Sequence, residues 1–182
     1  MTLRPYQQAA VDAAVEWMKK TLAPACIEAA TGAGKSHIIA EIARIIHHQT
    51  GKRVLCLAPS AELVVQIHGK YLASGHRSSM FSASAGAKEL RYSVVFGSPL
   101  TVKNRISAFK RAGADGYALV VIDEAHGITP TVQGIVADMR QGNPNLRVLG
   151  LTATPYRLGS GWIFREDAEG RINGEDTARD PY

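Results

Sequence analysis

The sequence predicts an α/β fold in which a central, mostly parallel sheet is covered by helices on both faces, giving three layers. One observation is that short, continuously apolar runs alternate with segments whose apolar residues recur at helical spacing. Strands that are apolar throughout are typical of parallel sheets buried on both faces. Another is that several apolar runs end in polar turns containing glycine or proline. Ligands bind at the carboxyl ends of such strands, so we expect the functional site at these turns.

The predicted elements alternate regularly along the chain, beginning with a helix. Helical patterns cover residues 5–20, 37–48, 61–72 and 132–139. Strand-like runs cover residues 26–29, 54–58, 80–82, 94–97, 119–122 and 148–152. A connection long enough to hold a helix separates most of these runs, as parallel pairing requires.

Composition and charge narrow the classes of function. The 182 residues are 46% hydrophobic and 20% charged, which is typical of one globular domain. The apolar runs are too short to span a membrane, so we predict no membrane partner and a cytoplasmic location. Cys26 and Cys56 form no CxxC pair, which argues against a zinc site and predicts two buried free thiols. A net charge of +5 permits binding to a polyanion.

A glycine-rich loop, ATGAGKS at residues 30–36, follows the first strand-like run and precedes a helix. It matches a phosphate-binding loop, although Ala29 stands where the first glycine is usual. Backbone N–H groups of such a loop surround phosphate oxygens, which predicts ATP as the ligand, and the alternative is a glycine turn that merely caps a helix. We expect Lys35 to reach the β- and γ-phosphates and Ser36 to be a Mg²⁺ ligand. The residues expected at the nucleotide are Thr31, Gly32, Ala33, Gly34, Lys35 and Ser36.

An acidic pair, Asp123 and Glu124, follows the strand-like run at residues 119–122. We expect Asp123 to hold Mg²⁺, partly through water, and Glu124 to polarise the attacking water as general base. With Lys35 they are the predicted catalytic residues. Neighbouring strand residues point to opposite faces, so the chain must turn directly after the strand, which the His126-Gly127 pair permits. The alternative is a solvated strand end with a helix-capping acid.

Further motifs surround the phosphate loop and the DEAH segment at residues 123–126. LRPYQ stands at residues 3–7 and TATP at residues 152–155. In this order the motifs resemble the first RecA-like domain of superfamily 2 DEAD/DEAH-box helicases, which are P-loop NTPases. The resemblance implies that Gln7 hydrogen-bonds the adenine edge and that Arg4 lies against the base. It also implies that His126, Thr152 and Thr154 couple nucleotide state to strand binding.

Two turns resemble the nucleic-acid-contacting motifs of the same family. LAPS ends at Ser60, and GSP at residues 97–99 is followed by Thr101. We therefore expect Pro59, Ser60, Ser98 and Thr101 at the nucleic acid, because hydroxyls and backbone N–H groups at strand ends suit phosphate oxygens. Lys103 could add charge. For the hydroxyl residues the alternative is simple helix capping.

The match is closer still to bacterial RadD-like helicases, which favours DNA over RNA as the partner. Shared segments include TGAGKS, VVFGS and LGLTATPYRLGSGWIF, and the resemblance covers residues 3–164. One departure lies within DEAH, where this group is expected to carry cysteine at the third position. We expect residues 1–164 to form the ATP-binding domain and the polar residues 165–182 to be a mobile tail.

The resemblance also implies a part outside this chain. Superfamily 2 motors hydrolyse ATP between two RecA-like domains, and the second supplies arginine fingers worth about 10³–10⁵ in rate. Residues after Pro155 are too few for a second sheet. We therefore expect a fragment of a larger protein with little activity alone.

Three other functions use part of the same motif set. The nearest is the motor of a restriction-system translocase, built on the same domain. A small-molecule P-loop kinase would share the phosphate loop and Mg²⁺, but it would have no role for the LRPYQ and TATP motifs. A binding-only clamp would bind a strand in a salt-sensitive way without ATP turnover.

Overall fold

The computed structural model describes residues 3–154 and four short strands beyond them. The predicted alternation of strands and helices is confirmed. The helices are α1 (Pro5–Lys20), α2 (Lys35–Thr50), α3 (Ala61–Ala73), α4 (Pro99–Lys103) and α5 (Pro130–Gly142), with 3₁₀ turns at Ile106–Ala108, Gly113–Asp115 and Ala125–Gly127. The strands up to residue 154 are β1 (Ala25–Glu28), β2 (Arg53–Leu57), β3 (Ser79–Ser82), β4 (Ala87–Lys88), β5 (Val94–Gly97), β6 (Tyr117–Asp123) and β7 (Arg147–Thr152).

One seven-stranded sheet organises the molecule, in the order β1-β7-β6-β2-β5-β3-β4. Every neighbouring pair is parallel except β3 and β4, which form an antiparallel pair. The predicted mostly parallel sheet is therefore confirmed, and each of the six strand-like runs lies in or overlaps a strand. The sequence does not predict β4, because two residues carry no periodicity.

Helices cover both faces of the sheet, which confirms the predicted three layers. On one face α1, α2 and α3 bury residues such as Val11, Ile39 and Ile67 against the sheet. On the other face α4 and α5 bury Val102 and Ile135, among others. Burying a large aliphatic side chain stabilises the folded state by about 1.5–3 kcal/mol. These two apolar layers therefore fix the position of the sheet, whose carboxyl edge carries the polar turns.

Strand β1, which leads into the glycine-rich loop, lies at one end of the seven-stranded sheet, and its partner among the described strands is β7. Its residues are half-buried or exposed, in contrast to the fully buried β6. This position explains why the predicted burial of the two cysteines is only half right. Cys56 on β2 is buried, whereas Cys26 on β1 is half-buried, and both are free thiols.

Beyond Thr154 the structure describes two antiparallel ladders. Strand β8 (Tyr156–Arg157) pairs with β9 (Gly161–Trp162), and β10 (Arg165–Glu166) pairs with β11 (Ile172–Asn173). The predicted polar tail lies largely outside the described residues, and the boundary at residue 164 stays a prediction. Among the residues that the structure describes, no helix combines the length and apolar character needed to cross a membrane.

Candidate functional site

The glycine-rich loop joins β1 to α2 and requires glycine at two positions. Gly32 and Gly34 have φ angles of 82° and 80°, in the left-handed region that glycine adopts without cost. Gly34 is the residue before the first turn of α2, and a Cβ there would lie 2.5 Å from Nε2 of Gln7. The loop therefore places Lys35 and Ser36 in the first turn of α2. Thr31 is exposed at its outer side.

Helix α1 holds this loop through its first turn. The Tyr6 hydroxyl and the Gln7 side-chain amide both donate to the carbonyl of Ala33, at 2.9 and 2.8 Å. The Gln7 side-chain oxygen accepts the N–H of Arg4 at 2.9 Å. The segment predicted to read adenine thus lies against the phosphate loop, and the adenine contacts of Arg4 and Gln7 stay predictions. The sequence does not predict the role of Tyr6, because its partner lies 27 residues away.

The acidic pair occupies the predicted turn. Strand β6 ends at Asp123, Glu124 adopts a left-handed conformation with φ 53° and ψ 49°, and a 3₁₀ turn follows. Within this turn the Glu124 N–H donates to Oδ1 of Asp123 at 3.0 Å. The chain reverses at Glu124, directly after the strand. The Glu124 side chain is therefore not forced to the opposite face of the sheet from Asp123.

Asp123 is the one buried carboxylate in the described part of the chain, with 5% of its surface exposed. Burial raises the pKa of Asp123 to about 6, and the negative charge of Glu124 adds to the shift. The hydrogen bond from the Glu124 N–H and the positive charge of Lys35 lower the pKa of Asp123, but they do not cancel the rise. A cation beside this carboxyl would offset the cost of its charge, so the environment fits a Mg²⁺ ligand.

A connected set of contacts runs across the sheet edge from α2 to the end of β7. Lys35 Nζ lies 3.2 Å from one carboxylate oxygen of Glu124, and His126 Nδ1 lies 3.3 Å from the other. The same His126 nitrogen lies 2.8 Å from the Thr152 hydroxyl. Thr152 in turn donates to the carbonyl of Thr154 and accepts its N–H, both at 3.1 Å. Phosphate-loop, acidic and TATP residues are therefore in direct contact.

Ser36 completes this group. Its side chain is buried, and its hydroxyl oxygen accepts a hydrogen bond from the Gln66 amide of α3 at 2.9 Å. Ser36 and Asp123 offer oxygen donors, which suit Mg²⁺ because that ion keeps several waters and few protein ligands. We call the following residues the nucleotide end: Lys35, Ser36, Asp123, Glu124, His126 and Thr152.

The residues predicted to contact nucleic acid lie after β2 and β5, and we call Pro59, Ser60, Ser98 and Thr101 the strand-contact edge. Ser60 caps α3, since its hydroxyl accepts the N–H of Leu63 at 3.3 Å. Thr101 accepts the N–H of Ala83 at 3.0 Å, and its hydroxyl lies 2.9 Å from that of Ser98. The capping alternative is therefore confirmed for Ser60, while a strand contact by these residues stays a prediction.

One expected source of positive charge is already paired. Lys103, which follows the strand-contact edge, forms an ion pair with Asp138 of α5 at 2.7 Å. The salt bridge joins the two helices that cover this face of the sheet. Lys103 therefore has a structural partner, and the charge that the sequence suggests for a strand is in use within the fold.

A cavity of about 700 Å³ lies between the two groups of residues. It is lined by Pro59, Ser98 and Thr101 from one side and by Asp123, Glu124 and His126 from the other. Three residues of the nucleotide end and three of the strand-contact edge therefore line one shared space at the carboxyl ends of β2, β5 and β6.

Comparison with known protein families gives a match over most of the chain. The family described as "Type III restriction enzyme, res subunit" (ResIII) matches residues 1–157. This range contains every residue of the nucleotide end and of the strand-contact edge.

Individual relatives are larger than this chain. A genome polyprotein of classical swine fever virus is 31% identical over 137 residues, covering 71% of this chain and 3% of the polyprotein. The UvsW helicase from bacteriophage T4 has a similar fold, with a TM-score of 0.67 and 20% identity over 85% of this chain and 54% of its own. The type ISP restriction-modification enzyme LlaGI, solved with a DNA substrate mimic, gives a TM-score of 0.66 and 17% identity over 99% of this chain and 19% of its own.

Proposed function

This chain belongs to the ResIII family and is a RecA-like domain of the superfamily 2 helicase type, and we propose that it is the ATP-binding part of a nucleic-acid-dependent motor. The observation that carries the proposal is the set of contacts from Lys35 through Glu124 and His126 to Thr152. It joins a phosphate-binding lysine to a candidate base and then to the TATP segment. A small-molecule kinase would need the first two groups but not the third.

Each residue of the nucleotide end has a distinct task in this proposal. Lys35 binds the β- and γ-phosphates, and Ser36 and Asp123 hold Mg²⁺, partly through water. Bound Mg²⁺ would neutralise phosphate charge and orient the phosphates. Glu124 accepts a proton from the attacking water. Arg4 and Gln7 contact the adenine base, beside the loop that Gln7 already supports.

The ion pair between Lys35 and Glu124 couples phosphate binding to the availability of the Glu124 carboxylate. Lys35 cannot neutralise a phosphate and hold the Glu124 carboxylate equally strongly, because both anions compete for one ammonium group. Phosphate binding at Lys35 therefore weakens its attraction for Glu124 and makes the carboxylate available to water. His126, on the opposite oxygen of Glu124, keeps the side chain near the end of β7.

The partners in this proposal are nucleic acid and a second RecA-like domain. The chain spans about half of UvsW and less of LlaGI, and a second domain would supply the arginine fingers that the ATP site needs. We favour DNA over RNA, supported by the RadD-like resemblance and by the DNA substrate mimic bound to LlaGI. We also propose a cytoplasmic location, as the sequence predicts.

The motor of a restriction-system translocase is the second candidate. It is favoured by the name of the family and by the coverage of nearly the whole chain by LlaGI. The two candidates share the nucleotide end and differ in what the motion achieves. Movement along duplex DNA without separation of strands would favour the translocase, whereas release of a labelled strand would favour a helicase.

The test is ATP turnover and ADP binding by this chain with Mg²⁺, in the presence and absence of single-stranded and duplex DNA. We expect weak Mg²⁺-dependent binding and very slow hydrolysis. Strand-stimulated turnover by this chain alone in the ordinary enzyme range, about 1–10³ s⁻¹, would contradict the need for a second domain. Phosphate transfer to a small acceptor would favour the kinase. Salt-sensitive strand binding without any turnover, even with a second domain, would favour a binding-only clamp.

A further inference from the structure

Gln66 is a polar residue of α3 that lies outside the sequence motifs. Its side chain is exposed, yet its amide reaches 30 residues back in sequence and donates to the buried Ser36 hydroxyl at 2.9 Å. Ser36 is the residue expected to be a Mg²⁺ ligand. The contact is thus made to the one hydroxyl of the phosphate loop for which orientation matters to the proposed chemistry.

The contact does little for stability. The net contribution of a side-chain hydrogen bond to stability is small. Fixing a glutamine side chain costs conformational entropy of similar size, so the two approximately cancel. Packing of α3 depends instead on its buried face of Val64, Ile67 and Tyr71. The contact therefore affects the orientation of Ser36 more than the stability of α3.

A serine hydroxyl has one proton and two acceptor lone pairs. When the Gln66 N–H occupies one lone pair, the rotation of the hydroxyl is restricted and the other lone pair is left for a cation. Hydrogen-bonding partners of metal ligands commonly change metal affinity by 10–100-fold in this way. We propose that Gln66 is a positioning residue that fixes Ser36 for Mg²⁺. This inference rests on the proposed function.

The location of Gln66 extends the consequence to the strand-contact edge. Helix α3 begins directly after its cap Ser60 and continues without interruption through Gln66. At 3.6 residues per turn the two are less than two turns apart. One rigid helix therefore carries a predicted strand contact at its start and the partner of the Mg²⁺ ligand in its second turn.

The experiment measures ADP affinity by calorimetry with Mg²⁺ and with EDTA, for the chain and for Gln66→Met. Methionine keeps the length of the side chain and removes the hydrogen bond. We expect the ratio of the two affinities to fall about 10-fold, while the affinity in EDTA stays the same. Val65→Ala, at an exposed neighbouring position of α3, is the matched control and should keep the full ratio.

A double-variant cycle then tests whether Gln66 acts through Ser36. Ser36→Ala should lower the Mg²⁺ effect at least as much as Gln66→Met does, and adding Gln66→Met to it should change nothing further. An unchanged ratio in Gln66→Met, or an additional loss in the double variant, would overturn the inference while leaving the proposed function intact. Absence of Mg²⁺-dependent ADP binding in the unsubstituted chain would instead contradict the proposed function, and the inference with it.

Discussion

At the nucleotide end, Asp123 is a buried carboxylate and Glu124 adopts a left-handed backbone, whereas at the strand-contact edge Ser60 caps a helix and Thr101 binds a loop N–H. The first pair of features destabilises the folded state, and the second pair stabilises it. Both groups follow strands of one sheet, and Asp123, Glu124 and Thr101 line one cavity. The hydroxyl side chains thus make hydrogen bonds that stabilise the fold, while the acidic residues occupy positions that destabilise it.

The difference between the two groups shows that a motif is a strong indicator of function where its residues destabilise the fold. An unfavourable arrangement persists only if the surrounding structure enforces it, so the nucleotide end is difficult to explain as structure alone. A helix cap is sufficiently explained by stability. The strand-contact edge therefore needs an experiment that separates its two roles.

The largest expected effect is on turnover, at Glu124. Glu124→Gln removes the general base and should lower the single-turnover rate of ATP hydrolysis by about 10²–10⁴-fold, with ADP affinity retained. The free energy of unfolding should change little, because the Glu124 side chain is partly exposed. Hydrolysis at the original rate would contradict the assignment of the base.

The next effect is on stability, at Asp123. Its pKa is about 6 in the folded chain and ordinarily 3.8, so between these values the folded state binds more protons. The free energy of unfolding therefore falls as pH rises through this window. Asp123→Asn should abolish the fall and stabilise the chain by about 3 kcal/mol above pH 6, as measured by urea denaturation. A destabilised Asn variant at neutral pH would contradict the cost of burial.

Asp115 provides the matched control of opposite sign. Hydrogen bonds from Arg53 and Arg111 lower the pKa of its carboxyl. Asp115 therefore stabilises the fold above its usual pKa, and this contribution is lost as pH falls. Asp115→Asn should weaken the chain at neutral pH, whereas Asp123→Asn should strengthen it.

A smaller effect is expected on nucleotide affinity, at Lys35. Lys35→Ala removes charge-assisted hydrogen bonds to phosphate, which contribute about 1.5–3 kcal/mol, so ADP affinity should fall by about 10–100-fold. Lys19→Ala removes a lysine whose ion pair with Glu16 is exposed, and its ADP affinity should stay unchanged. Calorimetry on both variants measures the effect, and equal affinities would contradict a phosphate-binding role.

The smallest effect separates the two roles of Ser60. Ser60→Ala should lower the free energy of unfolding by about 1 kcal/mol through loss of the cap. Ser60→Asp restores the cap and adds a negative charge. If Ser60 contacts phosphate, the Asp variant keeps its stability and loses single-stranded DNA affinity at low salt. Unchanged DNA affinity in a stable Asp variant would leave capping as the only role of Ser60.

Local pattern was sufficient to predict most of the fold and the position of the phosphate loop. The superfamily 2 type is confirmed by the family match together with the structural likeness to helicases, while the narrower RadD-like resemblance stays a prediction. Apolar periodicity placed the strands, and the left-handed φ of Gly32 and Gly34 explains why glycine is needed in the loop. The turn after Asp123 could also be predicted, because only a reversal lets Glu124 serve beside it.

Long-range contacts could not be predicted from the sequence. Tyr6 contacts Ala33, and Gln66 contacts Ser36, across 27 and 30 residues. No periodicity or spacing marks such pairs, since the packing of α1 and α3 beside α2 creates them. The place of β1 at an end of the sheet is likewise a product of strand order, which the sequence pattern does not contain.

The left-handed backbone at Glu124 has a consequence for how this protein would respond to selection. A residue other than glycine or asparagine in that conformation costs about 1–2 kcal/mol, so Gly or Asn at position 124 would relieve it. A library screened only for heat resistance should therefore enrich these substitutions early and accumulate proteins that bind ATP without cleaving it. If Glu124 is the general base, stability and turnover therefore favour different residues at position 124.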